Sequence, residues 1–155
     1  MKTPTLTPVF TYYGDFNVDH IGDGPFGRRV IANVTGGELH GEGIKAEIVG
    51  AAGDWLLLGE DGFGRLDVRV TLRTSDDALI YVQYYGLIEV TAEIGAILSG
   101  QPGETAFGSQ YFFTNPRLET GSERWAWVNH TFFVSQGRLL GGPRVEYQVY
   151  RVDNP

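Results

Sequence analysis

The chain has no cysteine, a single methionine and no apolar run approaching membrane-spanning length. The first absence removes disulfides, thiol nucleophiles and thiolate metal ligands. The last leaves nothing to match the roughly 18 consecutive apolar residues that a spanning helix needs. Basic residues are scarce as well: 12 Lys and Arg stand against 19 Asp and Glu, for a formal charge of -7, and they form no stripe. Nucleic acid and anionic membrane surfaces are recognised through a basic footprint, so neither is an expected partner. The opening MKTPTLTPVF has no signal-like apolar stretch, which makes the cytoplasm the expected location. The Asn-x-Thr tripeptides at Asn33 and Asn129 are accordingly read as chance. No Gly-rich phosphate loop, His-x-x-x-His pair or nucleophile-elbow serine occurs. Neither a cofactor nor a metal is expected.

What is present is glycine and aromatic rings, 22 Gly and 13% Phe, Trp and Tyr. Many short strands, tight turns and a ring-rich interior produce that profile. A length of 155 residues suits one domain, 1–155, with the first eight residues loose. Runs of β-branched and aromatic residues bounded by Gly, Pro and Asp mark strands at Val9–Tyr13, Arg29–Val34, Ile44–Val49, Trp55–Leu58, Leu66–Arg73, Leu79–Tyr85, Tyr111–Thr114, Trp127–Val134 and Val145–Val152. Ala92–Leu98 has Ile94, Ile97 and Leu98 at helical spacing, against which Gly95 counts, so a short helix or an irregular connection both fit. Gly100–Gly108 reads as a loop. The expected fold is all-β, a closed antiparallel β-barrel of about nine strands with at most one short helix.

Leu66–Tyr85 is the most informative stretch. Leu66, Val68, Val70 and Leu72 alternate with Asp67, Arg69, Thr71 and Arg73, and Ile80 and Val82 alternate with Tyr81, Gln83 and Tyr85. A three-residue loop, Ser75-Asp76-Asp77, pairs Arg69 with Gln83 and Val70 with Val82, which keeps one face wholly apolar; a one-residue slip would mix the faces. That loop needs a left-handed residue in its last place, at Asp77. Two readings of the mixed face stay open. In one it meets water while the apolar face fills the barrel. In the other it lines a wet cavity, where Arg69 would need an acidic partner or a ligand anion to offset its desolvation. A third possibility is a second subunit covering an apolar outer surface.

Individual residues carry the chemistry. Asp54, after Gly53 and before Trp55, is either a turn residue or a general base. Arg69 is a surface ion-pair member or a clamp for a carboxylate or enolate. Tyr85 and Tyr111 can donate protons or stabilise an oxyanion. Trp55 and Trp127 offer stacking walls. Gln83 and Asn129 offer amide contacts, Asn being unusual inside a strand. Among the histidines His40, in Glu38-Leu39-His40-Gly41-Glu42, is the best acid–base candidate, whereas His20 is expected in solvent and His130 in the core.

Gly36-Gly37, Gly53-Asp54-Trp55, Leu66-Asp67-Val68-Arg69, Tyr111-Phe112, Glu119-Thr120-Gly121 and Trp125-Ala126-Trp127-Val128-Asn129, in this order, resemble the family of bacterial and fungal proteins called domain of unknown function 3237. The resemblance runs from about Gly22 to Val152. It implies a β-barrel of lipocalin-like appearance, often dimeric, and assigns no activity. The chain departs from the family pattern in lacking Gly after the acidic residue of the Asp76-Asp77 hairpin, and in carrying Glu42 for Pro and Phe113 for Arg.

The expected function is a cofactor-independent enzyme that moves a proton on a small aromatic or oxygenated metabolite in the barrel cavity: an isomerase, cyclase, dehydratase or lyase. Its expected machinery is Asp54, Arg69, His40, Tyr85 and Tyr111, with Trp55, Gln83, Trp127 and Asn129 binding substrate. A non-catalytic binding or carrier protein and an assembly module are the alternatives, and the expected partners are a small-molecule ligand and a second copy of the chain.

Overall fold

Alternating apolar positions in successive segments direct this chain into one curled sheet. The computed structural model describes all 155 residues. Nine strands occur in the order β1 (Thr5–Gly24), β2 (Gly27–Gly41), β3 (Ile44–Leu58), β4 (Phe63–Thr74), β5 (Leu79–Glu89), β6 (Phe112–Thr114), β7 (Arg117–Glu119), β8 (Phe133–Leu140) and β9 (Arg144–Asp153). One helix, α1 (Ala92–Leu98), and a 3₁₀ segment, Ala126–His130, complete the chain. All pairings are antiparallel. The spatial order is β4-β3-β2-β1-β9-β8-β6-β5-β7, and a β4–β5 ladder closes the ring. β6 and β7 follow one another along the same edge of β5, broken by Asn115-Pro116, so together they act as one interrupted stave.

The β4–β5 hairpin has the expected register, Arg69 opposite Gln83 and Val70 opposite Val82. Thr74 N–H donates to Ala78 O at 2.8 Å. Those two residues bracket Ser75-Asp76-Asp77, and Asp77 has the left-handed φ of 67°. Leu66, Val68, Val70, Leu72, Ile80 and Val82 are all buried in the lumen. The opposite face meets water. Keeping both-signed charges outside avoids the desolvation cost of several kcal/mol per ion.

Several expected boundaries move. The expected loose segment ends earlier than residue 8, because Thr5 to Pro8 pair with Asp153 to Tyr150 of β9. The two segments expected at Ile44–Val49 and Trp55–Leu58 are one strand, β3, whose pairing with β4 breaks between Val49 and Gly53. The expected strand at Trp127–Val134 is instead the 3₁₀ segment followed by β8. Its alternation is accidental. Asn129 accepts the Thr120 N–H at 2.8 Å and donates to Thr120 O at 2.9 Å, and the Trp125 indole N–H donates to Asp76 at 3.1 Å, which folds the segment back on the chain.

Each barrel end is closed by a non-strand element. At the end with the β3–β4 turn, Thr91 caps α1 by accepting the Ile94 N–H, and α1 buries Ile94, Ile97 and Leu98. The Val90 N–H bonds Gly62 O of that turn at 2.8 Å. At the other end Trp125 and Val128 are buried and Trp127 packs 5.8 Å from Phe10. In the middle, Phe112 lies across Gly137, where a Cβ would stand 2.7 Å from the ring. No helix is long and apolar enough to cross a membrane.

Candidate functional site

One carboxylate faces the lumen. Asp54 lies on the inward face of β3, two residues before buried Leu56, opposite Ala32 of β2 and Val68 of β4. The β3–β4 ladder omits the next two residues and resumes at Leu57–Arg65. In that gap Asp54 Oδ1 accepts the Asp67 N–H at 2.9 Å, the one hydrogen bond its carboxyl receives. The side chain thus takes over a donor that a strand neighbour would otherwise satisfy.

The carboxyl projects into a cavity of about 50 Å³ whose other lining residues are aliphatic and aromatic, among them Phe16, Leu66, Leu98, Phe112, Tyr84 and Tyr147. The residue is half-buried overall, and its acid group is the enclosed part. Burial is the main force on its protonation and pushes it up to about 7. The nearby Asp67 charge acts in the same direction, while the Asp67 N–H and Arg29 oppose it. A neutral and an ionised Asp54 are therefore both accessible near neutral pH.

Two phenols, Tyr84 and Tyr147, line the same cavity, and a third, Tyr12, packs against Tyr147 beyond it. Tyr12, Tyr84 and Tyr147 are buried, with ring centroids 5.8 Å apart for Tyr12–Tyr147 and 5.6 Å for Tyr84–Tyr147. Burial pushes all three phenol pKa values upward, and the Asp54 charge adds to the effect on Tyr84 and Tyr147. They remain O–H donors at any ordinary pH. Tyr84 and Tyr147 also border a smaller void of about 20 Å³ on the far side, where the buried Thr114 and Ser135 hydroxyls bond each other. The lumen is thus apolar, but crossed by a belt of hydroxyls with one acid at its edge.

The expected constellation does not assemble around that lumen. Trp55, Arg69, Gln83 and Tyr85 do lie on adjoining strands next to Asp54, but the barrel wall separates them from its carboxyl. Arg69 sits on the outer surface, 5.7 Å over the Trp55 ring and 3.4 Å from Asp67. Gln83 Oε1 accepts from Arg117 at 2.8 Å, also outside. Tyr85 and Tyr111 are both exposed and share an outer groove of about 540 Å³ with Phe113. His40 is on the surface, bound to Glu38 at 2.7 Å rather than to Glu42. Trp127 packs on Phe10 and Phe133, and Asn129 staples the 3₁₀ segment to Thr120. His130 is exposed, not in the core. Of the nine expected site residues only Asp54 points into this cavity; Arg69, Gln83 and Tyr85 lie on a strand face whose mixed charge is more stable in water, and Trp127 and Asn129 belong to the 3₁₀ segment at the barrel end.

Tyr12, Tyr84 and Tyr147 were not among the expected site residues, yet a signal for them exists. Tyr84 continues the Ile80, Val82 alternation, Tyr147 sits between Val145 and Val149, and Tyr12 is two residues from Phe10. Each belongs to an apolar face by period.

Known proteins share this whole architecture. The UPF0311 protein of Rhodopseudomonas palustris is 30% identical over 97% of this chain and 99% of its own length. The crystal structure of a protein of unknown function from that organism superposes with a TM-score of 0.85 at 27% identity, covering 98% of this chain and 99% of the other. PR-toxin biosynthesis cluster protein 7 of Penicillium roqueforti is 23% identical over 90% of this chain and 87% of its own. A crystal structure described as an enzyme from Penicillium herquei shares the fold, with a TM-score of 0.65 at 18% identity over 99% of this chain and 97% of that one. The family model for proteins of unknown function designated DUF3237 matches residues 4–152, and the chain belongs to that family.

Proposed function

We propose that this chain is a cofactor-independent enzyme in which Asp54 moves a proton on a small oxygenated or aromatic metabolite, with Tyr84 or Tyr147 as the hydroxyl donor. The reaction classes that fit are isomerisation, cyclisation, dehydration and lyase steps. The observation that carries this reading is a single acid, raised to about 7, in a cavity otherwise lined by apolar and phenolic groups. Ionised Asp54 takes a proton from substrate carbon or hydroxyl. A phenol O–H stabilises the negative charge that develops on a substrate oxygen. Protonated Asp54 then returns the proton at another position, so electrons balance with no redox partner. A positioned acid–base group of this kind contributes about 10²–10⁴-fold. The Penicillium herquei enzyme and the Penicillium roqueforti cluster protein lend support, as fungal proteins described in catalytic and biosynthetic terms.

The cavity of about 50 Å³ is smaller than the roughly 300–1,000 Å³ of typical metabolite pockets. Admission of such a substrate requires the cap to move, and Leu98 of α1 is the lining residue that does not belong to the barrel wall. The strongly apolar lining also favours a second reading, a carrier that holds its ligand unchanged. One experiment separates the two. The protein is incubated in D₂O with a panel of enones, phenols and β-hydroxy carbonyl compounds, and exchange or turnover is followed by NMR. Site-specific deuterium incorporation that Asp54→Asn abolishes, with cooperative unfolding retained, supports the enzyme. Binding without exchange supports the carrier. An Asp54 carboxyl that titrates near 4 by ¹³C NMR overturns the acid–base assignment.

A further inference from the structure

We propose that the outer depression at the β6–β7 break is a second small-molecule site, built for an aromatic carboxylate. It lies outside the lumen and does not depend on the acid–base reading above. Its volume is about 350 Å³, within the range of small-molecule pockets. Its floor is the Asn115-Pro116 interruption, where the Asn115 N–H reaches back to Tyr85 O at 3.1 Å. Arg117, the first residue of β7, opens onto it beside Gln83, Tyr85, Thr131 and Phe132.

The electrostatics single this place out. Every arginine of the chain except Arg29 and Arg117 forms an ion pair. Arg29 is committed to the Trp55 carbonyl at 2.7 Å and acts on Asp54 through the wall. Arg117 has only the neutral amide of Gln83, whose Oε1 accepts one of its N–H groups at 2.8 Å. No carboxylate lines the depression, and Glu119, two residues along β7, is not part of it. In a chain of net charge -7 an arginine without an acid is conspicuous. Held at one corner by Gln83, its guanidinium keeps N–H donors free for a planar anion, and carboxylate is the group its fork fits.

The rest of the wall supplies the ring site. Tyr85 and Phe132, 57% and 64% exposed, present two ring faces to the depression, free to stack on an aromatic ligand. The Asn115 side-chain amide makes no hydrogen bond within the protein and adds a polar contact at the rim. A ring between Tyr85 and Phe132 with its carboxylate on Arg117 satisfies all three features. Tyr84 and Pro116 border both this depression and the small internal void, so the site sits back to back with the lumen.

Benzoate is the probe. Titrated into ¹⁵N-labelled protein, it should shift the Arg117 Nε–H and the Asn115 side-chain amide, with a Kd on the order of 1 mM or tighter, as suits so few atoms. Benzyl alcohol should bind at least tenfold more weakly. Arg117→Gln should weaken benzoate at least tenfold while Arg117→Lys, a point charge without the fork, falls between; the exposed side chain makes both variants safe for folding, checked by Tm. Asp54→Asn should leave benzoate affinity unchanged, which separates this site from the lumen. Equal binding of benzoate and benzyl alcohol, wild-type affinity in Arg117→Gln, or shifts confined to residues around Asp54 would each overturn the proposal.

Discussion

Asp54→Asn should stabilise the protein at alkaline pH and not at acid pH. The sign follows from the direction of the shift. Asp54 in the folded chain holds its proton up to about 7, against 3.8 for an ordinary aspartate. Well below pH 3.8 the group is neutral in both states and costs nothing extra. As pH rises toward 7 the unfolded chain ionises first, so stability falls, and the loss is complete above the folded value. At about 1.4 kcal/mol for each pH unit between the two values, the loss reaches about 4 kcal/mol at pH 8. Asn keeps an oxygen for the Asp67 N–H and cannot ionise. Its NH₂ group enters an apolar cavity at a cost of about 1–3 kcal/mol, but that cost is independent of pH. The signature is therefore the difference between conditions: Tm of the variant relative to wild type should rise between pH 4 and pH 8 by on the order of 10 °C for a domain of this size. Scanning calorimetry across that range is the assay. A relative Tm that stays flat with pH would show that the Asp54 carboxyl is not shifted by burial.

Two further predictions concern the frame. Asp77→Ala should destabilise by about 1 kcal/mol and Asp77→Gly should not, because the left-handed φ of 67° strains alanine and suits glycine; urea denaturation reads both. Thr114→Val should cost about 1–3 kcal/mol by orphaning the buried Ser135 hydroxyl, and adding Ser135→Ala should recover part of it, a non-additivity that a double-mutant cycle measures.

The sequence showed the frame better than the site, for physical reasons. Register in the β4–β5 hairpin was legible because a one-residue slip would turn Val70 and Val82 outward, so burial and pairing agree on one answer. α1 was legible in part: Ile94, Ile97 and Leu98 mark its buried side, but Gly95 left an irregular connection equally open. The 3₁₀ segment was not, since its shape depends on the Asn129–Thr120 and Trp125–Asp76 bonds, formed between residues far apart in pattern though not always in sequence. β7 is three residues after a proline, too short to show a period. For the site, residues were chosen by chemical type, and type is a poor guide to which face of a strand is dry. Arg69, Gln83 and Tyr85 share a face with Asp67, and that face belongs to water.

Asp54 is the exception that makes a function readable. By period it sits with Leu56 on the inner face, where an ionised carboxylate lowers stability at neutral pH, and an uncharged acceptor such as Asn would serve the Asp67 N–H without that loss. Folding explains the hydrogen bond but not the choice of an ionisable group to make it. Its one hydrogen bond, from Asp67 N–H, holds the acid in place but favours its ionised form too weakly to offset burial. Groups that cost stability are characteristic of active sites, where they are kept for what they do to a ligand. The phenols of Tyr84 and Tyr147 strengthen the case from the other side: they supply donors around the acid without adding a second charge to the lumen. An acid alone in an apolar cavity, ringed by neutral donors, is the ground of the proposed proton transfer, whereas the arginines of the outer face are nearly all paired and Arg117 is the one assigned to the proposed anion site.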